Sequence, residues 1–195
     1  MEPGLGLGAK SQDVITTVTK HMKEKKGEAE FFLPPRIVDE LLSFFDDKNQ
    51  QFLTDFLGAI TTKAPDSSKV NFPASVFYHI VQDIRERSYR GLTISLEELE
   101  KGAKIMAGTQ GLSKKDQEIK IGPVVKTLRD RYRQATRTGF LDSLADLDLI
   151  VLATEQDAFL VSSDEGVVEW GRRFGVKEMK PQVFGQWLVS PQSQT

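Results

Sequence analysis

The sequence predicts an α/β fold: a parallel sheet flanked by helices, with a helical insertion projecting from the core. Strand-like and helix-like segments alternate at both ends of the 195-residue chain, which is typical of strand–helix units in a parallel sheet. The middle of the chain carries three helical patterns with no clear strand between them. Residues 1–72 and 139–195 are therefore expected to form the core, and residues 73–138 the insertion.

The elements follow from hydrophobic periodicity and from proline and glycine positions. Buried strands are expected where short apolar runs are bounded by turn residues, at residues 29–33, 158–162 and, more weakly, 176–179. Residues 61–71 lack periodicity and are expected to form a loop. Apolar residues at helical spacing predict helices at residues 11–25, 35–45, 50–60, 73–89, 95–107, 113–138 (interrupted at Gly122-Pro123), 142–156, 164–174 and 181–188.

Composition excludes several classes of protein and site. The chain has no cysteine and two histidines, so a disulfide scaffold, a thiolate metal site and a cysteine nucleophile are excluded. The longest apolar run, residues 149–153, is far shorter than the roughly 18 residues of a membrane span. No secretory signal pattern opens the sequence. A cytoplasmic protein with no membrane partner is expected.

Charge is strongly segregated along the chain. Residues 113–137 contain eight basic and three acidic residues, whereas residues 142–169 contain eight acidic residues and no Lys or Arg. A basic arm followed by an acidic block suggests one region that holds a polyanion and another that holds cations. Two solvated helix faces of opposite sign would give the same pattern.

Three aspartates are the best candidates for a metal site. Asp142 and Asp146 are one helical turn apart, so their carboxylates share a face. Asp164 follows the strand of residues 158–162, at the edge where parallel sheets place their ligand sites. Crowded carboxylates of this kind suit Mg²⁺, with Mn²⁺ as a substitute, and such a site hydrolyses phosphodiesters. Glu40 and Glu165 are weaker candidate ligands.

Each carboxylate also has a purely structural interpretation. Asp164 is placed to cap the helix that follows it. Asp142 and Asp146 are placed where an exposed helix start attracts negative charge, and Glu40 fits a surface position.

A basic stripe on the helix of residues 113–138 is the candidate RNA-binding surface. Lys126, Arg129, Arg133 and Arg137 recur every three or four residues and fall on one helix face. Such a stripe matches phosphates along a groove and positions RNA or DNA without reading sequence. Arg85, Arg87 and Arg90 are weaker candidates that would extend it; a solvated face is the alternative.

The segment LDSLADLDLIVLATEQDAFLVSSDEG, residues 141–166, resembles the later motifs of PIN-like metallonucleases, in which one aspartate opens an apolar helix and another closes the next strand. More closely, the chain resembles the HARP family of minimal, protein-only ribonuclease P, also labelled RNA ligase partner. AEFFLPPRIVDELLSFF resembles that family's second strand and helix. LRDRYRQATRTGFLDS resembles its basic helix, and AFLVSSDEGVVEWGRRFGVK its last strand–helix unit.

The resemblance implies a PIN-like core, a two-helix projection, higher-order homo-oligomers and Mg²⁺-dependent removal of the 5′ leader from precursor tRNA, with no RNA subunit. Asp142, Asp146 and Asp164 match the family's catalytic aspartates, and Glu40 stands where PIN-like proteins often carry another acid. The family opens with an apolar strand ending in aspartate, whereas this sequence begins MEPGLGLG. The first strand and its ligand are therefore expected to be missing, and the chain is expected to cleave poorly.

Two other functions remain open at this point. A toxin-type PIN ribonuclease would share the chemistry, although those chains are usually shorter and lack the long helical insertion. A non-catalytic RNA-binding or assembly subunit would keep the basic arm and dispense with the first aspartate.

Overall fold

The computed structural model describes residues 10–137, 141 and 143–191. The chain divides into two compact units, the first formed by Met1–Pro73 with Leu141–Thr195 and the second by Ala74–Phe140. We call the first unit the core and the second the hairpin.

The described residues contain two short strands and eight α-helices. The strands are β1 (Phe32–Leu33) and β2 (Thr61–Thr62). A 3-10 turn spans Ser67–Lys69. The α-helices, in chain order, are α1 (Ser11–Glu24), α2 (Pro35–Ser43), α3 (Gln51–Leu57), α4 (Ser75–Ala107), α5 (Lys114–Arg137), α6 (Leu144–Glu155), α7 (Glu165–Phe174) and α8 (Pro181–Val189).

The parallel pairing in the core is shorter than the sequence predicts. β1 pairs in parallel with β2, with Phe32 opposite Thr61. A separate parallel bridge joins Leu160 to Glu178, within the two other expected strands. The prediction of a loop at residues 61–71 is wrong for its first two residues, because β2 is an exposed edge strand of two threonines and carries no hydrophobic pattern.

Large apolar side chains fill the interior of the core. Leu53 on α3, Ile150 on α6, Trp170 on α7 and Leu188 on α8 are almost completely buried. α6 packs against α2 and α7, and α1 packs against α3 and α8. α7 ends at Gly175, whose φ of 82° is a left-handed conformation that favours glycine at a helix end.

The hairpin consists of α4 and α5 packed along each other. Two predicted helices, residues 73–89 and 95–107, are one continuous helix of 33 residues. Gly91, in the predicted gap, lies inside α4, where a Cβ would come within 2.8 Å of the Tyr132 ring. Its absent side chain therefore permits the close approach of α5. α5 likewise continues through Pro123 without the predicted interruption.

The expected fold class is confirmed: a largely helical α/β protein with a small parallel sheet and a helical insertion. Among the described residues, no helix combines the length and apolar character needed to cross a membrane.

Candidate active site and RNA-binding surface

Asp164 is held at the start of α7 by two backbone hydrogen bonds. Its Oδ1 accepts from the N–H of Gly166 at 2.7 Å and of Val167 at 3.1 Å, while its own N–H donates to Ser162 Oγ at 3.1 Å. The structural interpretation as a helix cap is therefore correct. The cap uses one carboxylate oxygen, and Oδ2 makes no hydrogen bond within the described part of the chain. Asp164 is also exposed, so capping leaves an oxygen available for a ligand.

Asp146 lies in the first turn of α6, where the side chain is half-buried. The helix is started by Ser143, whose Oγ accepts from the N–H of Ala145 at 3.0 Å. α6 packs against α7, which Asp164 caps. Asp146 and Asp164 are thus acids at the amino-terminal ends of two helices in contact. The positive end of each helix dipole stabilises their negative charge.

Asp142, the third predicted aspartate, lies outside the described residues. Within residues 10–137, 141 and 143–191, no group of three carboxylate or histidine side chains is arranged to hold a metal ion. The metal site predicted from the three aspartates therefore stays a prediction.

The two weaker acidic candidates are both exposed. Glu40 lies on α2, which packs against α6, and its carbonyl oxygen accepts from Ser43 Oγ at 2.7 Å. Glu165 is the first residue of α7, next to Asp164. Both remain predictions as metal ligands.

The sequence did not predict an ion pair between α2 and α6. Arg36 Nη1 lies 2.6 Å from Asp148 Oδ2, and the Asp148 side chain is only 15% exposed. Asp148 lies on another side of α6 from Asp146, where α2 covers it. In the sequence, the basic residue directly after Pro34-Pro35 was visible. Nothing in the sequence indicated its partner, which is 112 positions away.

Glu155, at the carboxyl end of α6, is a second buried acid that the sequence did not single out. Its Oε2 accepts from the N–H of Asp66 at 2.8 Å, and its Oε1 lies 2.9 Å from Lys63 Nζ. These two interactions hold the pKa of Glu155 below its ordinary value, the backbone hydrogen bond from Asp66 contributing most. The pair ties α6 to the segment after β2 and is structural.

The predicted basic stripe is exposed along α5. Lys126, Arg129, Arg133 and Arg137 all lie on the solvent side of the helix. Within the described residues, Lys126, Arg129 and Arg133 make no ion pair. The opposite side of α5 contacts α4 through Ile121, Val124 and Tyr132, which lie next to Gly102 and Gly91. Lys126, Arg129 and Arg133 are therefore cationic groups available to a polyanion.

Of the three arginines on α4, Arg87 is unsuited to RNA contact. It is 9% exposed, and its Nη1 donates to the carbonyl of Thr136 at 2.9 Å. The predicted role of Arg87 is corrected: its guanidinium joins α4 to α5 because it points into their contact. Arg85 and Arg90 are exposed, and Arg90 lies 3.9 Å from Glu86.

Comparisons with known proteins all point to the same family. A family model described as a PINc domain ribonuclease matches residues 6–190. The RNA-free ribonuclease P of Thermodesulfovibrio yellowstonii is 31% identical over 184 residues, 94% of this chain and 85% of that protein. The protein of the same name from Haloarcula marismortui is 34% identical over 78% of this chain and 68% of its own length. That from Thermococcus kodakarensis is 30% identical over 93% and 85%.

These relatives cover the core and the hairpin together. PIN nuclease domains generally use a divalent metal ion, which agrees with acids at the starts of α6 and α7. The name shared by the relatives describes a protein-only enzyme. On this evidence the chain is an endoribonuclease that belongs to the PIN-domain family of RNA-free ribonuclease P, the HARP family.

Proposed function

We propose that this chain removes the 5′ leader from precursor tRNA in a Mg²⁺-dependent reaction, with Mn²⁺ able to replace Mg²⁺. One observation carries the proposal. The same chain has aspartates at the starts of two helices that pack together, α6 and α7, and a separate row of exposed cations on α5. The relatives named RNA-free ribonuclease P match along most of their length, which favours this reaction over that of a toxin-type PIN ribonuclease.

The donor chemistry of the acids fits a hard divalent cation. Oδ2 of Asp164 and the carboxylate of Asp146 offer oxygen ligands, which Mg²⁺ prefers, and we assign Asp142 to the same site. Glu40 and Glu165 would be weaker metal ligands at the edge of this site. A bound divalent cation supplies the charge stabilisation that phosphodiester hydrolysis requires. Asp164 is fixed for this task because its cap holds the carboxylate in one orientation.

The basic stripe is proposed to bind the tRNA portion of the substrate. A-form RNA hides its base edges in a deep, narrow major groove, so a protein that accepts many tRNAs contacts phosphates and overall shape. Lys126, Arg129, Arg133 and Arg137 span about three helical turns of exposed charge along α5. Arg85 and Arg90 would extend the surface on α4.

We further propose that the hairpin joins copies of this chain into a homo-oligomer. α4 exposes a second apolar face that α5 does not cover, and we call it the apolar row: Phe77, Val81, Ile84, Leu92, Leu96 and Leu99. Each of these side chains is at least 50% exposed. Monomeric soluble proteins seldom expose an apolar surface of this extent, and the occupant that we assign is the same row of another copy.

Asp164→Asn is the sharpest test of the catalytic assignment. Asn keeps an oxygen that accepts from Gly166 and Val167, so the cap and the fold should survive while the charge is lost. We expect 5′ cleavage of precursor tRNA to fall by at least 100-fold, with little change in tRNA affinity. Asp146→Asn should behave in the same way.

The matched control is Asp157→Asn. Asp157 is exposed and follows the carboxyl end of α6, the opposite end of that helix from Asp146. Its φ of 48° is a conformation that Asn tolerates well. This variant should cleave like the unmodified protein. Full cleavage by Asp164→Asn or Asp146→Asn in Mg²⁺ would remove that residue from the proposed site.

The stripe is tested by the salt dependence of binding. Arg129→Ala/Arg133→Ala should weaken the affinity for different precursor tRNAs by similar factors. The slope of log affinity against log salt should become shallower by up to about one unit per lost phosphate contact. Cleavage at saturating enzyme should change much less, because the acids are untouched.

Lys114→Ala/Lys115→Ala removes the same charge at the far end of α5 and serves as the control. Its salt slope should stay close to that of the unmodified protein. Equal slopes for the two double variants would mean that binding depends on net charge alone, and the stripe would then be only a solvated helix face.

A further inference from the structure

Arg36 lies in the first turn of α2, where the chain leaves β1. β1 ends at Leu33 and pairs in parallel with β2, and α2 begins at Pro35. Arg36 therefore stands just beyond the carboxyl end of a parallel strand, the edge at which α/β folds bind their ligands. Glu40, one of the weaker candidate metal ligands, follows one turn later on the same face of α2.

One nitrogen of the Arg36 guanidinium is anchored. Nη1 donates to Asp148 Oδ2 at 2.6 Å. The Asp148 side chain is 15% exposed, whereas that of Arg36 is 55% exposed, so a nearly buried carboxylate holds one edge of an exposed cation. Asp148 follows Asp146 by two positions in the first half of α6. The anchor therefore places the guanidinium beside the start of α6.

The other edge of this guanidinium is open. Nε and Nη2 lie side by side in the guanidinium plane and form a fork of two donors, and in Arg36 neither makes a hydrogen bond within the described part of the chain. The core contains two other arginines. Arg172 donates from the same two atoms to Glu178, at 2.7 and 2.6 Å, and Arg173 donates from Nη2 to Glu169 at 2.6 Å. Arg36 differs from both because its fork is unused.

The charge around this point gives the open fork a purpose. Residues 142–169 carry eight acidic residues and no Lys or Arg, so this segment supplies no positive side chain of its own. A phosphate that enters such a field is repelled unless a cation meets it. Arg36 brings a cation from α2 across the contact with α6. A guanidinium fork also matches two oxygens of one phosphate, which a lysine ammonium does not.

We propose that Arg36 binds a backbone phosphate of the single-stranded 5′ leader, next to the bond that is cleaved. Nε and Nη2 donate to the phosphate while Asp148 holds Nη1. The basic stripe is assigned to the tRNA portion, and Arg36 stands beside the acids assigned to the cleaved bond, so the leader is the part of the substrate left for it. Arg36 thereby distinguishes the precursor, which has this phosphate, from mature tRNA, which lacks it. The inference rests on the proposed function.

The test measures binding and does not require cleavage. The full chain is titrated with a precursor tRNA that has a short leader and with mature tRNA that has a 5′ phosphate. Ca²⁺ replaces Mg²⁺, and electrophoresis verifies that the precursor stays intact. The unmodified protein should bind the precursor more tightly.

Arg36→Ala should remove this preference. We expect precursor binding to weaken about tenfold, in keeping with the loss of hydrogen bonds to a charged group, and mature tRNA binding to stay unchanged. The slope of log affinity against log salt should become shallower by about 0.7 unit for the precursor, the value for one contact to single-stranded nucleic acid.

Arg172→Ala is the matched control. The Arg172 side chain is 60% exposed and pairs with Glu178 at 2.6 Å, so the variant loses the same charge from the same kind of ion pair. Arg172 lies in the last turn of α7, at the opposite end of that helix from Asp164. This variant should keep the preference for the precursor. A loss of preference equal to that of Arg36→Ala would mean that net charge alone decides it, and would overturn the inference.

A double variant separates phosphate binding from a structural role. Arg36→Ala leaves the nearly buried Asp148 charged and unpaired, which is destabilising. Arg36→Gln/Asp148→Asn removes both charges, so its Tm should lie close to that of the unmodified protein while the preference for the precursor stays lost. A preference restored in the double variant would show that Arg36 only neutralises Asp148, and would overturn the inference.

The remaining outcomes separate this inference from the proposed function. A preference that depends on Arg36, in a protein that does not cleave the precursor in Mg²⁺, would contradict the proposed function and support the leader contact. Cleavage together with an unchanged preference in Arg36→Ala would overturn the leader contact alone. Equal losses for precursor and mature tRNA, or no preference in the unmodified protein, would overturn it as well.

Discussion

The core and the hairpin are stabilised in different ways. The core buries large apolar side chains, and Trp170, Leu53, Ile150 and Leu188 have almost no exposed surface. The hairpin buries Gly91, Gly102, Arg87 and Glu98 on α4, whereas many of its large apolar side chains are exposed. The comparison indicates that the core buries its apolar residues internally, while the hairpin leaves much of its apolar surface exposed.

An ion-pair network substitutes for an apolar interior in the hairpin. Glu98 of α4 is 2% exposed and its Oε1 lies 2.6 Å from both Lys101 Nζ and Arg131 Nη1. Arg131 also lies 2.7 Å from Glu97. The hydrogen bonds from Lys101 and Arg131 lower the pKa of Glu98, and those to Glu97 and Glu98 raise the pKa of Arg131. Buried charges need such partners, so this network fixes how α4 and α5 align.

The largest expected effect on stability is in the core. Trp170 is 1% exposed, with the Phe174 ring 6.3 Å away, so Trp170→Ala leaves a cavity that the surroundings fill only partly. We expect a loss of about 3–5 kcal/mol in the free energy of unfolding, measured by denaturant titration. Phe77→Ala, at a residue that is 64% exposed, should change it by less than about 0.5 kcal/mol. Similar losses for both would contradict the contrast between the units.

The apolar row should affect assembly and leave stability nearly unchanged. Val81→Glu/Leu92→Glu places two charges on the exposed face of α4, and burying them against another copy without partners would be costly. We expect the molar mass measured by light scattering to fall, with the Tm at low protein concentration nearly unchanged. His79→Glu/Thr93→Glu adds two carboxylates at exposed positions on another side of α4 and is the control. An unchanged mass for the first variant would assign the row to another partner.

The smallest expected effect is the pH dependence of the hairpin. Because folding lowers the pKa of Glu98, its stabilisation is complete above the ordinary carboxyl pKa and is lost as the pH falls through the lowered value. Hydrogen exchange of α4 and α5 amides should therefore accelerate, relative to its intrinsic rate, upon acidification. Glu98→Gln should weaken protection at neutral pH and flatten this dependence. Glu100→Gln, at an exposed position, should leave the dependence as it is.

Much of the architecture could be predicted from local patterns. The helices of the core were expected within a few residues of their bounds, because apolar spacing and prolines such as Pro35 and Pro181 mark them directly. Both β2 and the continuity of α4 were missed. Thr61 and Thr62 form a strand only because β1 lies beside them, and Gly91 stays helical because Tyr132 packs over it.

The features of the candidate site also fall into two groups, those that the sequence predicts and those that only the structure shows. The sequence by itself determined the family, the acids at the starts of α6 and α7, and the charged face of α5, since each depends on residue type and short-range spacing. Only the tertiary structure decided that Arg87 is buried against Thr136 and that Arg36 pairs with Asp148. Those features depend on contacts between residues far apart in the chain, and no local pattern encodes which distant segments meet.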